Sequence, residues 1–134
     1  MHLQETLIPN VAAAYVWIPR KMNGVVRYLF MQRTEDRYLG GTWGPPGGRL
    51  NTLYNGDKLV GFESAEEAAG RELNEEVGLC IPPSNLRLVA AVERMAYEGN
   101  HIRTESYLHT TRYTEISEPR IGEPSKCAAL GWFA

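Results

Sequence analysis

Only two cysteines, Cys80 and Cys127, occur in 134 residues. That is too few for a disulfide framework and fits a reducing compartment. An excess of one charge is also missing: 14 Lys and Arg against 16 Asp and Glu leave a formal net charge of −2. This argues against non-specific nucleic-acid binding, which needs a basic patch. A small anionic substrate stays open, because a metal or a few local arginines can hold one whatever the net charge. No apolar run approaches the roughly 20 residues of a membrane-spanning helix. The stretch Met1-His2-Leu3-Gln4-Glu5-Thr6 lacks the basic start and apolar run of a signal peptide. Repeats, low-complexity tracts and breaks in composition are absent as well. What is there is 43% hydrophobic and 10% aromatic, which suits one domain over residues 1–134, and we expect it to be cytoplasmic.

Residues 11–18 are apolar and strand-like, Asn23-Gly24 marks a turn, and residues 25–31 read as a second strand paired with the first. Pro45-Pro46 hold the chain extended before Gly47-Gly48. Residues 49–62 have a pattern of their own: Leu50-Asn51-Thr52-Leu53-Tyr54, then Asn55-Gly56, then Asp57-Lys58-Leu59-Val60. We read them as a β-hairpin closed by a two-residue type I′ turn at Asn55-Gly56, with a disordered loop as the alternative. Strands are expected at 86–95, 101–113 and 128–133, with a turn at Glu98-Gly99-Asn100 and a polar loop over 114–125. A strand-rich chain around one helix implies an α+β sandwich.

The helix is the best-marked element. Ser64 with Glu67 three residues on forms a capping box, and Gly78 is placed as its left-handed end. Ala65, Ala69, Leu73 and Val77 recur every four residues as an apolar stripe. Glu72, Glu75 and Glu76 fall within an arc of about 100°. Carboxylates gathered this closely repel one another unless a cation lies between them, and oxygen ligands suit Mg²⁺ or Mn²⁺. A solvated acidic face is the competing explanation. Arg71 lies one turn from both Glu67 and Glu75 and can orient the carboxylates.

The spelling Arg71-Glu72-Leu73-Asn74-Glu75-Glu76-Val77-Gly78-Leu79 resembles the second half of the Nudix box, Arg-Glu-U-x-Glu-Glu-x-Gly-U with U aliphatic. Glu63 stands eight residues before Arg71, as that motif requires, and Trp43 with Pro46-Gly47-Gly48 resembles its entry. Arg33 and the segment Glu123-Pro124-Ser125-Lys126-Cys127 with Trp132-Phe133 resemble flanking features of the family. The resemblance to Nudix hydrolases therefore runs from end to end. It implies a Nudix-type α/β/α sandwich with a mixed sheet. It also implies Mg²⁺-dependent hydrolysis of a phosphoanhydride bond in a nucleoside diphosphate derivative, most simply a nucleoside triphosphate. By the same resemblance Glu72, Glu75 and Glu76 bind metal with help from the Gly48 carbonyl, and Glu63 and Arg71 form a structural ion pair. Glu75 or Glu76 serves as general base, and a late glutamate, Glu123 before Glu118, joins the site. Arg33 is a candidate phosphate contact, with an ordinary surface arginine as the alternative.

Two departures stand out. Fourteen residues, not five, separate Gly48 from Glu63, and the hairpin at 49–62 accounts for the excess. Tyr54 or Lys58 on it would line the substrate pocket, or the hairpin would make a dimer contact. The family usually continues into a C-terminal helix that covers a sheet face, and this chain ends at Ala134. We therefore expect no such helix, an apolar face covered by a partner or by the amino-terminal residues, and a homodimer. Tyr15, Trp17, Tyr54, Tyr97 and Tyr107 are available for base stacking, although strand aromatics more often belong to the core. A nucleotide-sensing binding module without turnover is the alternative to the hydrolase. An isomerase on the same fold is a third reading, which would need Cys80 or Cys127.

Overall fold

The computed structural model describes residues 11–37, 39–96, 102–111 and 117–134. Tyr97 and the turn expected at Glu98-Gly99-Asn100 lie outside the described residues, as do 112–116 of the late strand and loop. In chain order the elements are β1 (Val11–Trp17), β2 (Pro19–Met22), β3 (Val25–Arg33), β4 (Trp43–Gly44) and β5 (Gly47–Arg49). They continue with β6 (Thr52–Asn55), β7 (Lys58–Phe62), α1 (Ala65–Val77) and a single 3₁₀ turn at Pro83–Asn85. The last are β8 (Leu86–Ala96), β9 (Ile102–Thr111) and β10 (Cys127–Phe133). The fold is an α+β sandwich, with α1 the one α-helix among the described residues.

One sheet has the order β5-β1-β9-β8 and is mixed: β1 runs parallel to β9, and the other pairs are antiparallel. The other has the order β10-β3-β2 with β4 also on β3, all antiparallel. Both sheets and α1 bury side chains in one cluster, with Ala12, Ala14 and Val16 from β1, Leu29 and Met31 from β3, and Ala68, Ala69, Leu73 and Val77 from α1. The small residues of β1 let the helix and neighbouring backbones come close, and α1 packs on β1 and β5.

The first pairing expected from the sequence is corrected. β3 pairs with β2, not with β1, through the register Pro19↔Tyr28 to Met22↔Val25. The turn is where it was expected, with φ of 50° at Asn23 and 80° at Gly24, as a type I′ turn requires. At Ile18, whose carbonyl accepts from the Leu29 amide at 3.1 Å, the chain passes from one sheet to the other. Upstream of that point β1 takes partners distant in sequence, β5 and β9, which local patterning does not reveal.

The hairpin at 52–62 is present as β6 and β7, but its turn is shifted by one residue. Asn55 pairs with Lys58, so the two loop residues are Gly56 and Asp57. Gly56 has a φ of 62°, and Asp57 is not among the positive-φ residues, a combination that fits a type II′ turn rather than type I′. An irregularity between Leu53 and Tyr54 leaves Val60 as an extra residue, which bends the ribbon.

Candidate metal centre

The helix that carries the glutamates is held at both ends. The Glu67 amide donates to Ser64 Oγ at 3.1 Å, and Gly78 closes the helix at φ 69° with its amide on the Asn74 and Leu73 carbonyls. Its buried side consists of Ala68, Ala69, Leu73, Glu76 and Val77. Glu76 is thus turned inward, Glu72 beside it is largely covered, and Glu75 opens toward solvent.

Two other segments complete the site. The glycine turn before the hairpin lies directly on the helix: the Gly47 amide donates to Glu76 Oε1 at 2.9 Å. A Cβ on Gly48 would come within 2.5 Å of the Glu72 carboxyl carbon, so the glycine backbone lies directly against that carboxylate. From the far end of the chain, the Arg120 amide donates to the Val77 carbonyl at 2.9 Å and the Gly122 amide to the Glu76 carbonyl at 2.8 Å. These bonds use carbonyls that the helix end leaves unpaired. They seat Glu123 against the helix, and its carboxylate joins those of Glu72 and Glu75 with oxygens all within 4.8 Å of one another.

Arg71 binds the arrangement together. Its Nη2 donates to Glu63 Oε1 at 2.5 Å and to the Arg49 carbonyl at 3.1 Å, and its Nη1 to Glu72 Oε1 at 3.0 Å. Glu75 Oε2 lies 3.6 Å from Nη1. Glu63 in turn accepts from the Asn51 amide at 2.8 Å. One ion pair therefore links the helix, the glycine strand β5 and the root of the hairpin. The bond to Glu63 is the main reason that the Arg71 guanidinium holds its proton more firmly than usual.

The electrostatics show what the site is short of. Burial pushes the Glu76 carboxyl up to about 7; the Gly47 amide and Lys126 oppose the shift, and Glu72 and Glu123 add to it. Burial also raises Glu72, against the pull of Arg71. Burial, more than neighbouring charge, makes the ionised form of these carboxyls costly, and a bound cation would offset that cost. The donors are all hard carboxylate oxygens that converge on one spot, which fits a divalent cation of the Mg²⁺ type.

The expected residues are placed as follows. Glu72, Glu75 and Glu123 converge, and Glu76 borders them with one oxygen on Gly47. Glu118 is 81% exposed and pairs with Arg20 at 2.9 Å, so it is Glu123 that meets the cluster. The backbone of Arg33 lies close by: it pairs with Cys127, and its neighbour Thr34 donates to the Lys126 carbonyl at 3.3 Å. Tyr54 is exposed on the hairpin ribbon, and Lys58 lies on the opposing strand. Tyr107 packs against the core. Two features had no signal in local patterning. Lys126 reaches Glu123 Oε2 at 3.2 Å. The buried His109 lies with Nε2 3.3 Å from Glu66 Oε1.

Comparison with known proteins bears on the family and the fold. A family model, the NUDIX domain, matches residues 9–134. No curated protein matched. Among solved structures, a MutT NUDIX hydrolase from Burkholderia pseudomallei is 27% identical with a TM-score of 0.65, over 92% of this chain and 83% of that one. A C. elegans Ap4A hydrolase binary complex is 20% identical with a TM-score of 0.60, over 92% and 79%. The NUDIX domain of Shewanella oneidensis NrtR complexed with ADP ribose is 15% identical with a TM-score of 0.67, over 98% and 80%.

Proposed function

The chain belongs to the NUDIX family and is a Nudix pyrophosphohydrolase, and from that premise we propose that it cleaves a phosphoanhydride bond of a nucleoside diphosphate derivative, a nucleoside triphosphate first among them, with Mg²⁺ or alternatively Mn²⁺. The observation that carries this reading is the convergence of Glu72, Glu75 and Glu123 within 4.8 Å beside the Gly47-Gly48 turn. Neighbours described as an Ap4A hydrolase and as an ADP-ribose complex support the substrate class.

In this reading Glu72, Glu75 and Glu123 hold the cation, with Glu76 and the Gly48 carbonyl at its edge. The cation supplies Lewis acidity to the phosphate oxygens and to the attacking water. Arg71, oriented by Glu63, keeps two of the carboxylates aimed at the same point. Glu75 is the first candidate to accept the water's proton: its side chain is 47% exposed and open to a water molecule, whereas Glu76 commits one oxygen to Gly47. Glu76 and Glu123 are the other candidates. Arg33 and Tyr54 are proposed substrate contacts, Tyr54 by stacking from the hairpin, so Tyr54→Ala should raise KM severalfold with kcat little changed. We also propose a cytoplasmic protein and a homodimer. No described helix is long and apolar enough to cross a membrane.

The test is a panel of nucleoside di- and triphosphate derivatives with Mg²⁺, with products identified to show which bond breaks. Turnover abolished by Glu75→Gln supports the reading. No release of phosphate or nucleotide from any member overturns it, and tight ligand binding without turnover would establish a binding module instead.

A further inference from the structure

Arg71 and Lys126, both among the described residues, stand against the carboxylates, and the chain uses them differently. Arg71 is committed to structure, with Glu63, Glu72, the Arg49 carbonyl and Glu75 all around its guanidinium. Lys126 meets the cluster through Glu123 instead. Its Nζ is 3.2 Å from Glu123 Oε2, and its side chain is 46% exposed. Its backbone is fixed: its amide donates to the Glu123 carbonyl at 2.9 Å, and its carbonyl accepts from Thr34 at 3.3 Å. A four-carbon stem thus swings from an anchored Cα at the rim of the cluster. Its charge also acts on Glu76.

We propose that Lys126 is a substrate-binding residue whose ammonium contacts the phosphate chain held at the carboxylate cluster. The inference rests on the reading of that cluster as a metal and phosphate site. A carboxylate shared with a dication is a poor counter-ion for an ammonium on its other oxygen, because the two positive charges repel at short range. The ammonium then gains most from an anion across the cluster, and a phosphate chain presents one there. Arg71 cannot take this role without releasing Glu63. A lysine is a point charge on a flexible stem, which suits a phosphate that shifts during the reaction better than a rigid fork does.

The alternative is that Lys126 only steadies Glu123. The two are separated by calorimetric titration of the full chain with inorganic pyrophosphate and with α,β-methylene ATP, each with Mg²⁺, in wild type, Lys126→Met and Lys126→Arg. A parallel Mn²⁺ titration is followed by electron paramagnetic resonance. Loss of the ammonium should weaken both probes by about tenfold or more. Arginine should restore most of the affinity, and Mn²⁺ should bind as tightly as before or tighter. Probe affinity unchanged in Lys126→Met overturns the proposal, and so does a loss matched by an equal loss of Mn²⁺ affinity. If wild type hydrolyses nothing on the panel but pyrophosphate binding still depends on Lys126, the hydrolase reading fails and the Lys126 assignment stands.

Discussion

Glu76 is a carboxyl that folding places where its charge is poorly supported. A carboxyl whose folded-state pKa, about 7, lies above its ordinary 4.5 takes up a proton on folding. Its contribution is then complete below about pH 4.5 and is lost as pH rises through 7, by an amount on the order of 3 kcal/mol. Metal-free protein should therefore lose stability to urea between pH 5 and pH 8, Glu76→Gln should flatten that slope, and Mg²⁺ should restore stability at pH 8. A slope unchanged in Glu76→Gln would assign the effect to other groups. Arg71 makes the complementary case. Its planar fork serves acceptors on three segments, which a lysine ammonium cannot span. Arg71→Lys should cost about 2 kcal/mol of stability, discounted because the side chain is 30% exposed. It should also lower kcat/KM far more than that loss would imply, which urea melts and initial rates on the same samples would check.

At the scale of the element, the helix was legible because every signal for it is local: the Ser64 cap, the apolar stripe and the terminal glycine sit within fifteen residues. The site was legible only in part for the same reason. Spacing on the helix groups Glu72, Glu75 and Glu76, but packing turns Glu76 toward Gly47 and brings in Glu123 through a loop some fifty residues downstream. Only the resemblance to a family, not the helix itself, pointed to that glutamate. Lys126 escaped because its role depends on where that loop docks. The docking is sensitive to one position: a Cβ on Gly122 would fall well inside contact with the Glu75 carbonyl. Gly122→Ala should therefore lift the loop and weaken Mn²⁺ binding by about tenfold, or about 1.4 kcal/mol. Ser64→Ala should cost about 1 kcal/mol of stability and leave Mn²⁺ affinity in place. Equal Mn²⁺ affinity in Gly122→Ala and wild type would show that the loop does not set the site.

Over the whole molecule, sequence patterning identified strands better than their partners. The parallel β1·β9 pairing joins residues more than ninety apart in sequence, and nothing in either strand names the other. The alternation along β3 carries further information. Leu29 and Met31 point into the core, which leaves Tyr28 and Phe30 on the outer face. There Trp17, Tyr28, Phe30, Phe133 and Trp43 form a continuous chain of ring contacts with centroids 5.1–5.8 Å apart. Trp17, Trp43 and Phe133 are each about 40% exposed. An aromatic strip of this extent on one sheet face is the kind of surface that monomers seldom leave to water, and a net charge of −2 sets little repulsion between two copies. A homodimer through this face should show twice the chain mass by light scattering at micromolar concentration. Phe133→Asp should halve that mass. Because it also removes the ring contacts with Phe30 and Trp43, it should cost the monomer about 1–2 kcal/mol while leaving it folded by circular dichroism. A wild-type chain that stays monomeric at every concentration would remove the dimer and leave the strip without a second copy to cover it.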